Sequence, residues 1–246
     1  MDEHEMDGDL PASIQIAWGL RGRPVKGPKP VLNLAGIVAA GVQVAESEGL
    51  GAISMSRVAR QLGTTAASLY RHVAAKGELL ALMTDAVLGH PPTLRPGWRD
   101  GLTQWAWGQH EIFRSHPWIL RLAVSEPPTT PNQIAWLESG LAALAGTGLK
   151  EADKLSTILL VGGFVRSEAT LVADVNATFH AAGATSVQAL RHYGRLLARL
   201  APPEEFPALH AVLEANALAQ DNPDGEFIFG LERVLDGVDA LIRVQS

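Results

Sequence analysis

Cysteine is missing from all 246 residues. Its absence excludes a disulfide framework, a thiolate metal site and a cysteine nucleophile, and it suits a reducing compartment. Charged residues are also sparse, at 19 %, while hydrophobic residues reach 47 %, so a packed core is expected rather than a disordered chain. No apolar run is long enough for a bilayer; the best, Ile158 to Val165, falls far short of the roughly twenty residues a span requires. A basic start of the signal-peptide kind is lacking too, because Asp2, Glu3, Glu5, Asp7 and Asp9 make the N-terminus acidic. A cytoplasmic location is therefore expected. The sequence has no phosphate-binding glycine loop, no paired-aspartate metal motif and no convincing nucleophile–base spacing, so catalysis is not expected.

What charge there is lies unevenly. The chain carries a net −6. Residues 21–76 hold Arg21, Arg23, Lys26, Lys29, Arg57, Arg60, Arg71 and Lys76 against only Glu46 and Glu48, a local balance of +6, leaving −12 for the rest. A basic segment on an acidic body is the pattern of a chain whose one part attracts phosphates.

Helical periodicity runs almost throughout from Leu34, and no strand-like alternation bounded by hairpin turns interrupts it. Breaks fall at Gly49–Gly51, Gly63, His90–Pro96, Glu126–Pro131, Gly146–Gly148, Ala181–Ala184, Pro202–Pro203 and Asp221–Gly225. The fold class is all-α, with about nine or ten helices by these breaks. Residues 1–17 read as a flexible acidic tail. Residues 18–32, with Pro24, Pro28 and Pro30, read as an extended basic arm. Residues 33–80 form a three-helix head, and 81–246 a larger helical body.

Within the head, Gly49 and Gly51 stop a first helix. Ser54 is a good N-cap, with Ile53 and Val58 placed to staple the next helix, Met55 to about Leu62. Gly63 permits a sharp turn. Thr65 caps a following helix, Ala66 to about Val73, whose Leu69 points inward. A short helix, a glycine turn and a second short helix make a DNA-reading helix-turn-helix over residues 54–73.

The string Leu62-Gly63-Thr64-Thr65-Ala66-Ala67-Ser68-Leu69-Tyr70-Arg71-His72-Val73, followed by Lys76 and Leu79-Leu80, resembles the signature of the tetracycline-repressor (TetR) family. The likeness covers about 55 residues and includes the preceding helix from Gly36 to Leu50. It implies that Thr64, Thr65, Ala66, Ala67 and Ser68 face the major groove, where methyl groups can meet thymine and hydroxyls can bond base edges or phosphates. It implies backbone contacts at Tyr70, His72 and Lys76, which set orientation more than sequence choice. Lys76 lies near a helix start, where backbone N–H groups also favour an anion. Arg71 can reach a guanine or a phosphate, and Ser54 joins the DNA-facing set. Ahead of the head, Arg21-Gly22-Arg23-Pro24 resembles the core of an AT-hook, so Arg21 and Arg23 are candidates for minor-groove contact; a plain basic linker is the alternative.

In the body, the segment Glu226 to Val244 carries an apolar stripe. It resembles the last helix of tetracycline-repressor-type C-terminal domains, which pairs across a dimer. Phe227, Leu231, Val234, Leu235, Val238 and Leu241 are the expected interface, partnered by a helix from about Lys150 to Ala173 with Gly162 and Gly163. The alternative is that both stripes face the chain's own core. Trp105 and Phe113 share one helical face with Gln109, a polar residue that requires a partner when buried. With Trp118, Trp136 and Phe164, they are the candidate lining of an effector cavity. His110 and His116 lie six apart, not the three or four that two ligands on one helix face require, so no metal is expected. The expected function is a sequence-specific transcriptional regulator, a ligand-responsive repressor acting as a homodimer on a palindromic operator. It would take an unidentified small-molecule effector and no cofactor or membrane. The alternatives are a ligand-independent architectural binder of A·T-rich DNA and, more remotely, an all-α enzyme.

Overall fold

Asn33 begins the first long helix by accepting a hydrogen bond from Gly36 N at 2.7 Å, and helices follow one another from there. The structure is a computed structural model that describes residues 11–20, 32–123, 127–181, 186–219, 222 and 224–245. Its helices are α1 (Ala12–Ala17), α2 (Leu34–Glu48), α3 (Met55–Gln61), α4 (Ala66–Tyr70), α5 (Lys76–Leu88), α6 (Trp98–Ser115), α7 (Pro131–Ala143), α8 (Glu151–Ala181), α9 (Ser186–Leu200), α10 (Pro207–Glu214) and α11 (Gly225–Gln245). Short 3₁₀ turns occupy Leu50–Ala52, Pro117–Arg121 and Ala217–Ala219. No strand occurs among the described residues, and the fold is all-α as expected.

The chain divides into two compact units, residues 1–147 and 148–246. α5 packs on α2 at one side and on α7 at the other, so the head helices and the first body helices lie in one compact unit. Two close contacts govern this packing. A Cβ at Gly41 would stand 2.7 Å from Met83 Sδ, so the glycine lets α2 and α5 approach. Asp85, buried on α5, accepts from Asn132 N at 2.8 Å, Gln133 N at 3.3 Å and Asn132 Nδ2 at 3.1 Å. It thereby satisfies the open N–H groups at the start of α7, where Thr130 supplies no side-chain cap. One turn on, Trp136 Nε1 donates to Gly89 O at 3.0 Å.

Residues 12–17 correct the expectation of a flexible tail. They form α1, with Ile14 and Ser13 buried against α5. The Ser13 hydroxyl donates to Glu78, and Trp18 Nε1 donates to Thr129 O at 2.7 Å. One buried isoleucine and two long-range hydrogen bonds offset the ordering cost that composition alone suggested would prevail.

In the second unit α8 packs on α11. Ile158, Val161, Val165 and Ala169 are buried on α8, and Phe227, Leu231, Leu235 and Val238 on α11. Phe164 stacks on Phe227 with centroids 5.8 Å apart. It also lies over Gly230, where a Cβ would collide with its ring. At the other end Gln245 Nε2 donates to Asp153 Oδ2 at 2.9 Å.

Candidate nucleic-acid interface

The turn between α3 and α4 is made by local chemistry. Ser54 Oγ accepts from Arg57 N at 3.1 Å and begins α3, whose Val58 and Ala59 are buried with Ile53. Gly63 adopts φ 64°, a left-handed conformation that costs other residues 1–2 kcal/mol, roughly. Thr65 then caps α4, accepting from Ser68 N at 3.4 Å. The inward Leu69 is fully buried. α4 is shorter than expected and ends at Tyr70 rather than near Val73. His72 N and Val73 N both donate to Leu69 O, at 2.8 and 3.0 Å, which closes the last turn.

This geometry sorts the candidate DNA contacts. Ser54, Thr65, Ala67, Tyr70, Arg71 and Lys76 are exposed, while Thr64, Ala66, Ser68 and His72 are half-buried. Tyr70 is 54 % exposed, its ring outside the core that holds its neighbour Leu69. The Ser68 hydroxyl lies 3.1 Å from Thr65 Oγ1 and accepts from an Arg71 Nη at 3.4 Å. Ser68 and Arg71 are thus aligned with one another before any base is met. Arg21 and Arg23 lie outside the described residues.

Two side chains that the sequence reading missed fix the frame. Arg57 donates its Nε to both Glu48 oxygens, at 3.0 and 3.1 Å, and an Nη to Gln61 Oε1 at 3.0 Å. The Arg57 hydrogen bond holds the Glu48 carboxyl below its ordinary range, and Glu48 raises Arg57 in turn. The pair ties the end of α2 to α3 and takes Arg57 out of the phosphate-binding set. At the start of α5 the expected anion is the chain's own. Glu78 Oε2 accepts from Ala74 N at 2.5 Å while its other oxygen takes the Ser13 hydroxyl. The legible signal was an acid at the third position of a helix, which commonly folds back on the preceding N–H groups.

The body residues divide between the units. Trp105, Phe113, Trp118 and Trp136 are buried in the first. Trp105 and Trp136 meet edge to face at 6.3 Å, and Trp105 Nε1 donates to Trp136 O at 2.8 Å. Gln109 is only half-buried, and the buried polar side chain of α6 is His110, set edge-on to Trp107 at 5.5 Å. His116 Nδ1 lies 2.9 Å from Glu46 Oε1. Among the described residues no group of three metal-ligating side chains converges. Phe164 belongs to the second unit, with its stacking partner Phe227.

The expected dimer stripe requires correction. Phe227, Leu231, Leu235 and Val238 are at most 4 % exposed within a single chain, and Val234 is half-buried. They are core, because α8 already covers them; of the six, Leu241 alone is exposed. The apolar side chains left outside are Leu155, Leu159, Leu160 and Leu171 on α8, and Ile228, Phe229, Leu241 and Val244 on α11.

Two family profiles match the chain: "Bacterial regulatory proteins, tetR family" over residues 37–83, and "Tetracyclin repressor-like, C-terminal domain" over residues 90–242. The chain belongs to the TetR family. Among relatives of this TetR-family protein, the HTH-type transcriptional repressor DrrR1 of Streptomyces coeruleorubidus is 34 % identical over 242 residues, covering 96 % of this chain and 87 % of that protein. Among solved structures, apo ActR from Streptomyces coelicolor aligns with a TM-score of 0.74 at 27 % identity, covering 88 % of this chain and 99 % of ActR. ActR in complex with actinorhodin aligns with a TM-score of 0.73 at 29 % identity, covering 86 % and 98 %. The protein is a DNA-binding transcriptional regulator of the helix-turn-helix type.

Proposed function

We infer that this TetR-family regulator is a ligand-responsive repressor that grips a palindromic operator as a homodimer. The observation that carries the reading is the start of α4. Short side chains from Thr64 to Ser68 stand between the exposed Tyr70, Arg71 and Lys76 and the exposed Ser54. That arrangement places base-reading groups between phosphate-holding ones.

The second copy is supported by the apolar face left outside in the second unit. Leu159, Phe229 and Val244 are 66 %, 61 % and 84 % exposed, and a Cβ at Gly163 or Gly237 would meet nothing. Two such faces packed together bury side chains that one chain leaves in water, and they set two heads at a fixed spacing. The effector is supported by the ActR complexes with actinorhodin and with (S)-DNPA. It is supported also by two buried groups with no hydrogen-bond partner among the described residues, Trp118 Nε1 and Thr130 Oγ1. Buried donors of this kind are ordinarily satisfied, and a ligand or a water would satisfy them. A cytoplasmic location is in keeping with DNA binding, and neither binding nor release calls for a cofactor or catalysis.

Footprinting on the DNA upstream of its own gene tests the reading. The expected result is a palindromic protected site, bound with a steep loss of affinity as salt rises. Protection that follows A·T content without a palindrome would favour an architectural binder instead.

A further inference from the structure

α9, with the sequence SVQALRHYGRLLARL, has three arginines and no acid. The rest of its unit, residues 148–246, is acidic, with five basic residues against thirteen acidic ones. Arg191, Arg195 and Arg199 recur every four residues and so share one stripe of the helix. All three are exposed, and Arg195 makes no hydrogen bond or ion pair among the described residues.

Beside the stripe, α9, α10 and the turn Ala217–Ala219 enclose a groove of about 520 Å³. Arg191 and Arg195 line it together with Leu190, Leu213 and Leu218. Gly194 faces the same leucines, since a Cβ there would stand in ordinary contact, 3.8 Å from both Leu213 and Leu218. The volume is that of an ordinary small-molecule site. Two guanidiniums one turn apart suit a carboxylate or sulfonate, which accepts paired hydrogen bonds. A small polar anion would leave the leucines in water, and a neutral apolar molecule would strip water from the Arg195 cation with nothing to replace it.

We propose that this groove binds an amphiphilic organic acid, its anionic head on Arg191 and Arg195 and its apolar body on Leu190, Leu213 and Leu218. The site takes no residue from the Trp105–Trp136 cluster and does not rest on the repressor reading. Its test is direct titration of the full-length protein with 8-anilinonaphthalene-1-sulfonate, followed by fluorescence, beside the neutral dye N-phenyl-1-naphthylamine. The sulfonate should bind at least about tenfold more tightly than the neutral dye, and added salt should weaken only the sulfonate. The double variant Arg191→Gln/Arg195→Gln should lose about tenfold or more of sulfonate affinity while keeping its melting temperature, because both side chains are at the surface. Gly194→Leu should fill the groove and weaken the sulfonate as well. Equal affinity for the two dyes in the unaltered protein overturns the site, and so does sulfonate affinity that the arginine variant leaves unchanged. Operator binding is not read in this assay, so its failure would leave the repressor reading standing.

Discussion

Tyr70 turns about half its surface to solvent although its neighbour Leu69 is fully buried. Such an aromatic is placed for a partner outside the chain, and Lys76 is exposed close to it in sequence. Lys76→Ala should weaken binding to every operator sequence alike and lower the slope of log affinity against log salt by about one, measured by anisotropy titration across salt. Ala67→Val or Ser68→Ala should instead change which sequence is preferred, which a randomised-duplex selection reads. Away from the DNA, Gly230→Ala should lower stability by about 1–3 kcal/mol, seen in urea melts, since the new methyl collides with the Phe164 ring. Glu168 offers a pH test. Burial, with Asp224 and Glu226 nearby, pushes its carboxyl above the ordinary value. A raised acid is bound to its proton more tightly in the folded state, so its charged form costs stability at neutral pH and the cost disappears as pH falls through the raised value. Glu168→Gln should therefore raise the melting temperature at pH 7, and the gain should shrink in acid. Ser54 and Thr65 were legible as caps because each bonds an N–H three residues away. Glu78 was legible only in part: its third position in a helix signals the bond to Ala74 N, but the hydroxyl it accepts belongs to Ser13, 65 residues earlier.

At the level of elements, the tie between α5 and α7 is the most consequential. Asp85 caps a helix from which 47 residues separate it, so the last turn of one helix and the first of another are a single hydrogen-bonded unit. Asp85→Ala should leave the half-buried N–H groups of Asn132 and Gln133 without their acceptor, costing about 1–3 kcal/mol in urea unfolding. Hydrogen exchange should rise at those two amides first. Nothing near Asp85 in the chain announces this role. Several breaks between helices were legible because glycine acts locally: Gly49, Gly63, Gly146 and Gly148 all take positive φ at or beside helix ends. The stripe of α11 was legible as a stripe but not as to which neighbour it faces. Phe227, Leu231, Leu235 and Val238 have a period that any apolar partner satisfies, and α8 of the same chain takes them.

For the whole molecule, the proposed dimer rests on the face that remains outside. Leu159→Asp or Phe229→Asp should convert a dimer to monomers in sedimentation equilibrium, and should weaken operator binding by about a hundredfold by removing the second half-site from reach. Both positions are exposed in the single chain, so folding should survive. The short helix α1 has a consequence of its own for the first unit. Its Ser13 hydroxyl is held by Glu78 at the start of α5, and the adjoining Trp18 by Thr129 just ahead of α7, so one turn and a half of chain clasps two helix starts that the sequence holds far apart. A clasp of that kind adds little core, and its release would loosen both helix ends together while the buried apolar residues of the unit stay in place.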